Sequence, residues 1–85
     1  MNGAVYLYFG DAKLTTGSFD DLRKLGIIPK EGTRLTFYDL DADKEGHPMY
    51  MCAEGVLHFE RESASWRAVV EKESFRWVPR PEVTQ

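Results

Sequence analysis

The chain has 85 residues, of which 42% are hydrophobic and 29% are charged, and its formal net charge is −3. This length fits one domain, and the hydrophobic fraction is that of a globular protein rather than of a disordered chain. The acidic balance argues against a general binder of the nucleic-acid phosphate backbone. We expect a single domain over residues 1–80, followed by a loose tail over residues 81–85.

The cysteine content and the first residues bear on the cellular compartment. Cys52 is the single cysteine, which excludes an internal disulfide framework and favours a reducing compartment. The apolar run at residues 4–9 follows no basic segment and is too short for a signal peptide or a membrane span. We therefore predict a cytoplasmic protein without membrane association.

The first predicted strand covers residues 4–9, in which apolar residues alternate with two outward-facing tyrosines. This period of two is typical of a half-buried strand. Gly10 can adopt a positive φ, so we expect a tight hairpin that returns the chain through residues 12–16.

A short helix is predicted over residues 18–25. Ser18 can cap its start, and Asp20 and Asp21 would lie in the first turn, where backbone N–H groups favour negative charge. Gly26 fits a left-handed C-terminal cap. So short a helix is unstable alone, so we expect its apolar side chains to pack on the sheet.

Three alternating runs follow, at residues 33–38, 49–60 and 66–71, and turn residues separate them. This pattern predicts an antiparallel meander. Residues 39–46 form an acidic loop after the first run. Gly55 interrupts the second run and indicates a bulge or a bend. A last short strand is predicted at residues 75–78, ending at Pro79.

These elements predict a mainly β fold: a small, strongly bent antiparallel barrel, either SH3-like or similar to an oligonucleotide-binding (OB) fold. The predicted core consists of the inward-facing apolar residues of the strands and the helix. They are Val5, Leu7, Phe9, Leu22, Leu25, Ile27, Leu35, Phe37, Met51, Ala53, Leu57, Phe59, Trp66, Ala68 and Val70.

The acidic loop is a candidate cation site. Asp41-x-Asp43-x-Glu45-Gly46 matches the first half of a calcium loop, but Cys52 occupies the twelfth position, where a bidentate Glu is needed. We interpret the loop first as a solvated hairpin connection. A calcium or magnesium site formed by Asp39, Asp41, Asp43 and Glu45 is the alternative.

No catalytic pattern stands out. His47, Cys52 and His58 match no zinc-binding spacing. The chain also has no nucleophile elbow and no Gly-rich phosphate loop. We therefore expect a protein that is not an enzyme and that needs no cofactor.

The outward-facing aromatic and basic residues form a candidate binding surface. Tyr6, Tyr8 and Tyr38 lie opposite the predicted core, and Arg67 and Arg76 belong to a less acidic C-terminal third. Single-stranded nucleic acid can stack on such rings and contact such charges. Cross-strand packing of the tyrosines is the structural alternative.

Residues 22–53 carry a series of motifs: Leu22-x-x-x-Gly26, the step from Pro29 to Gly32, the Asp/Gly loop, and His47 before a proline. In this order they resemble the second half of cold-shock-type small barrels. The aromatic, basic strands that contact RNA in that family would precede this segment, and the N-terminal residues here lack their pattern. The resemblance therefore implies a small closed barrel and not the RNA chaperone activity of the family.

Small barrels usually work through their exposed faces and strand edges. We therefore expect a non-catalytic binding or adaptor module whose partner is another protein or a second copy of the chain. Single-stranded nucleic-acid binding through Tyr6, Tyr8, Tyr38, Arg67 and Arg76 is the alternative function.

Overall fold

The computed structural model describes residues 3–80 and has a mainly β fold of five strands and one short helix. The predicted tail at residues 81–85 lies outside the described residues. Within that part of the chain, no helix is long and apolar enough to cross a membrane. The elements in chain order are β1 (Ala4–Tyr6), α1 (Thr16–Leu25), β2 (Arg34–Ala42), β3 (Pro48–Glu60), β4 (Ser65–Val70), a 3₁₀ turn (Lys72–Ser74) and β5 (Arg76–Pro79).

The predicted meander is confirmed. Strands β2, β3 and β4 are antiparallel neighbours, and Phe37 pairs with Ala53 while Leu57 pairs with Ala68 on the core side. The 13-residue β3 is long enough to pair with two strands along its other edge. Its C-terminal half pairs with β4 and its N-terminal half pairs with β5.

The predicted N-terminal hairpin is wrong. Strand β1 runs parallel to β2, and Ala12 and Leu14 bind instead to the far edge of β4, where Leu14 N–H donates to Trp66 C=O at 3.1 Å. A turn closed by Ala12 N–H and Tyr8 C=O sends the chain across one face of the sheet. The sheet has the order β1-β2-β3-β4, with β5 beside β3, and it is not closed into a barrel.

The predicted helix is confirmed, with a different start. Thr15 is its N-cap, and its side chain and that of Ser18 form a reciprocal capping box. The helix therefore begins two residues earlier than predicted, and no acidic residue lies in its first turn. Gly26 ends it in the left-handed conformation with φ 70°, as predicted.

Most of the predicted core is confirmed. The buried members are Val5, Leu7, Leu22, Leu35, Phe37, Ala53, Leu57 and Ala68, and Phe9, Ile27, Trp66 and Val70 pack against the core cluster. The prediction that Leu25 and Phe59 belong to the core is wrong, because each lies at the end of its element and stays more than a third exposed. Met51 is only partly buried. Cys52, which the alternation places on the outer face, is completely buried on the central strand.

Two features of the meander differ from prediction. Strand β2 continues to Ala42, so Asp39 and Asp41 belong to a strand, and the connecting turn begins at Asp43.

Gly55 is not in a bulge, because the register of β3 with β2 is continuous through it. Instead, a Cβ at this position would lie 2.6 Å from the Val69 carbonyl oxygen. Glycine is needed here because two backbones approach each other closely.

Candidate functional site

One end of the sheet extends beyond the core. We call it the distal ribbon: residues 39–42 of β2, 48–51 of β3 and 76–79 of β5. None of these residues belongs to the core cluster, and the helix packs against β1. Leu40 and Trp77 point to opposite sides of the ribbon and are 55% and 54% exposed. Within the described part of the chain, each face of the ribbon therefore keeps one large apolar side chain more than half exposed.

The first face of the ribbon carries Trp77. Two rows of directly paired residues cross the three strands on this side. The Trp77 indole N–H donates to Asp41 Oδ2 at 2.9 Å, which fixes the ring across the rows. The rows are Asp39–Met51–Trp77 and Asp41–Met49–Pro79, and we call these six residues the Trp77 face.

The second face carries Leu40, Tyr50 and Val78 in one cross-strand row, and we call it the Leu40 face. The Arg80 guanidinium lies 5.7 Å from the centre of the Tyr50 ring, within range of a cation–π interaction. Arg76 lies on the same side and forms an ion pair with Glu54 at 2.8 Å. The Leu40 face is therefore apolar and aromatic, with two arginines along it.

The outer edges of the ribbon discourage strand pairing. Leu7 N–H bonds to Tyr38 C=O, so alternation directs the N–H groups of Leu40 and Ala42 to the same edge, beyond the end of β1. The carboxylates of Asp39 and Asp41 accept those two N–H groups at 2.7 and 2.8 Å. On the opposite edge, β5 ends in Pro79, which has no N–H to donate. The ribbon therefore offers its faces rather than its edges.

The structure joins two of the predicted binding tyrosines with a third. Tyr6, Tyr38 and Tyr50 form an edge-to-face row across β1, β2 and β3, with ring centres 5.8 and 5.5 Å apart. Asp21 holds this row to the helix, because its Oδ2 accepts the Tyr6 N–H at 2.9 Å and the Tyr38 O–H at 3.0 Å. Cross-strand packing thus engages these rings, and each is only partly exposed.

The other predicted binding residues are placed separately. Tyr8 lies in the loop after β1 and is 53% exposed. Arg67 lies on β4, donates to the Asp11 carbonyl oxygen and forms an ion pair with Glu60 at 2.7 Å. Since Arg76 is also paired, local carboxylates already neutralise both arginines of the predicted surface.

The environment of Tyr38 gives a testable prediction. Burial, together with the hydrogen bond to Asp21, raises the pKa of Tyr38 from 10.0 to about 12. The unfolded chain releases this proton first, so the stabilising contribution is complete below pH 10 and is lost as the pH rises towards 12. In an NMR titration of the tyrosine ring carbons, the pKa of Tyr38 should lie well above its ordinary value of 10.0. Asp21→Asn should lower the pKa of Tyr38 in part. Titration of Tyr38 near its ordinary value would contradict its burial and its hydrogen bond to Asp21.

The four candidate metal-binding carboxylates lie in two different parts of the structure. Asp39 and Asp41 lie on β2 and accept backbone N–H groups, whereas Asp43 and Glu45 lie in the turn. In the turn, one ligand atom each from Asp43, Glu45 and His47 lies within 4.8 Å of the others. The Asp43 carboxylate accepts the backbone N–H groups of Glu45 and His47 and contacts the His47 ring. These contacts are sufficient to order the turn.

Sequence reasoning named Arg76 of the ribbon but missed its exposed apolar residues, Leu40 and Trp77, as candidate binding residues. The signals were present: Trp77 follows a polar turn in a short strand next to proline, and Leu40 is an isolated apolar residue among aspartates. The sequence pattern does not show whether another element covers these side chains, because that depends on where the helix docks.

No protein-family model, curated protein or solved structure matches this chain.

Proposed function

We propose that this protein is a non-catalytic binding module that recognises a protein partner through the distal ribbon. The observation that supports this proposal is the pair of large apolar side chains, Leu40 and Trp77, exposed on opposite faces of one ribbon. Aromatic and aliphatic side chains left in water beyond a core are typical of interaction surfaces. A centrally placed Trp is also among the residues that most often dominate binding energy.

The second candidate function is single-stranded nucleic-acid binding on the tyrosine row. The ring spacing and the cation–π contact of Arg80 with Tyr50 favour it, because bases stack on such rings and arginines contact phosphates. The carboxylates beside the row oppose it. Asp21 binds Tyr38, and Glu54 is paired with Arg76. We therefore rank it below protein binding.

We further propose that the curled sheet is a partial barrel of the SH3-like or OB-like kind. The support is that residues of one N-terminal segment reach both sides of the sheet: β1 pairs with β2, and Lys13 bridges to Arg67 on β4. The single, buried Cys52 is compatible with our proposal of a cytoplasmic location.

Site-specific photocrosslinking in the source cells tests the proposed function. The photoreactive residue benzoylphenylalanine would replace Leu40 or Trp77, and a matched control would carry it at Ile28. Ile28 is 76% exposed and lies between α1 and β2, outside the ribbon. We expect protein adducts of one defined mass from position 40, from position 77 or from both, but not from position 28.

The other outcomes separate the alternatives. A fourth variant carries the photoreactive residue at Tyr50, in the tyrosine row. Nucleic-acid adducts from this position, without protein adducts from positions 40 and 77, would replace the proposal with the second candidate. Adducts that contain only this chain would identify self-association. Equal labelling from positions 28, 40 and 77 would overturn a binding role for the ribbon.

A further inference from the structure

We infer that the Trp77 face receives a basic amphipathic segment of the partner protein, one that combines apolar side chains with Lys or Arg. This inference rests on the proposed function and deepens it, because it chooses one face of the ribbon and the chemistry of its occupant. It follows from three properties of the face: its apolar surface, its fixed indole and its uncompensated charge.

The apolar part of the face suits a segment with large side chains. Met51 pairs directly with Trp77, and Met49 with Pro79, so four apolar side chains form one continuous patch over β3 and β5. Methionine side chains adapt to varied shapes, which is why they are common at binding surfaces. Trp77 keeps 54% of its surface exposed and contributes the largest area.

The indole is held in place before any partner arrives. Its N–H donates to Asp41 Oδ2, and the Asp41 carboxylate is itself anchored by the Ala42 N–H. A ring that is already ordered loses less conformational freedom on binding. Hydrogen bonds from Trp77 and Ala42 lower the pKa of Asp41, which keeps this carboxylate charged.

The charge of the face selects a basic partner. Asp39 and Asp41 border the apolar patch, and none of the six residues of the Trp77 face is a Lys or Arg. Asp43 and Glu45 extend the negative charge into the adjoining turn, where Lys44 is the only lysine or arginine. A cationic segment alongside the patch would meet complementary charge.

The same charge disfavours the other occupants. A second copy docked through the same face would bring two sets of Asp39 and Asp41 together, and like charges in an interface oppose association. A phosphate backbone would meet the same carboxylates. The Leu40 face differs, because Arg76 and Arg80 lie along it, so it serves as an internal comparison on the same ribbon.

The test uses designed peptides and the complete chain. The basic probe is an amphipathic helix of about 18 residues with leucine on one face and lysine on the other. Its comparator has glutamate in place of every lysine, and a single-stranded DNA oligonucleotide is the third probe. NMR titration follows the Trp77 indole N–H and the methyl groups of Met49 and Met51, with the partly buried Trp66 indole as the internal reference.

We expect the basic peptide to shift the Trp77 and methionine signals, with an affinity that falls as salt rises. Trp77→Ser should weaken binding at least about tenfold, because a central aromatic anchor is lost. Leu40→Ser is the matched control, since Leu40 has nearly the same exposure on the opposite face; it should change the affinity less than about twofold. The double variant Asp39→Asn and Asp41→Asn should weaken binding and reduce its salt dependence.

Four results would overturn the inference. They are equal binding of the acidic peptide, equal effects of the two serine variants, a response of the Trp77 face to DNA instead of peptide, and the absence of any shift with the basic peptide. The photocrosslinking result separates the two levels. Protein adducts from position 40 or 77 without binding of the basic peptide would reject this inference and leave the proposed function intact.

Discussion

Replacing Gly55 with alanine should destabilise the protein by about 2–3 kcal/mol, because a side chain there has no space. The added Cβ would meet the Val69 carbonyl oxygen at 2.6 Å and the Val70 Cα at 3.1 Å. Both are backbone atoms of β4, so relief requires the β3–β4 ladder to separate. Urea unfolding of the variant should show a lower midpoint with little change in slope.

Gly17→Ala is the matched control for Gly55→Ala. A Cβ at Gly17 would make ordinary contacts, the nearest being 3.5 Å from the Tyr6 ring, and Gly17 lies in the first turn of α1. This substitution should leave the stability unchanged or raise it by up to about 1 kcal/mol, since alanine favours helix. Equal stability of the two variants would contradict the close approach of β3 to β4.

Ser18→Ala should cost about 2–3 kcal/mol, the second largest effect that we expect. Ser18 is completely buried, and its hydroxyl oxygen accepts the Thr15 N–H at 2.9 Å while its O–H donates to the Tyr6 carbonyl oxygen at 2.5 Å. Alanine would leave both backbone groups without this partner inside the protein. Thermal unfolding measures the loss, which should be more than about 8 °C for a domain of this size.

Ser63→Ala is the matched control for Ser18→Ala. Ser63 is exposed in the β3–β4 turn, where its O–H bonds to Glu60, so its removal should cost less than about 0.5 kcal/mol. The Ser18 variant should also shift the amide signals of β1 and of the tyrosine row. A cost below that of Ser63→Ala would mean that the helix does not depend on this contact with β1.

The attachment of the helix to β1 explains why the ribbon is left open. Ser18 and Asp21 bind the outer edge of β1 through its last residue, Tyr6, so the helix remains at one side of the sheet. The distal ribbon lies beyond its reach. Exposed apolar strands are an aggregation hazard, and the aspartates that block the outer edge of β2 reduce it. These features fit a surface kept for a partner.

The local pattern of the sequence determined the meander, the helix and most of the core. Buried and partly buried apolar residues recur at alternate positions through most of β2, β3 and β4 because one face of each strand packs on the core, and a change of register would reverse every side chain. Gly26 ends the helix for a local reason, since its left-handed conformation suits glycine. The glycine at position 55 marks a special backbone site in β3, although its role is a close approach of two backbones rather than a bulge.

The tertiary structure decided the rest, because it depends on contacts between distant residues. Strand β1 has the alternation that suits either a hairpin or a parallel partner, and only the Asp21 and Ser18 contacts with its edge distinguish them. Alternation along β3 places Cys52 on the outer face, yet in the folded structure Cys52 is completely buried.

The candidate site depends most on tertiary structure. The tyrosines could be named from their alternation, but their row requires the register of three strands. The side chains of the ribbon alternate between the two faces of the sheet in the same way as those of the core. A period of two states which residues share a face, whereas exposure depends on whether another element covers that face. The sequence alone determined the faces of this protein, and the docking of the helix at β1 decided which of them stay open.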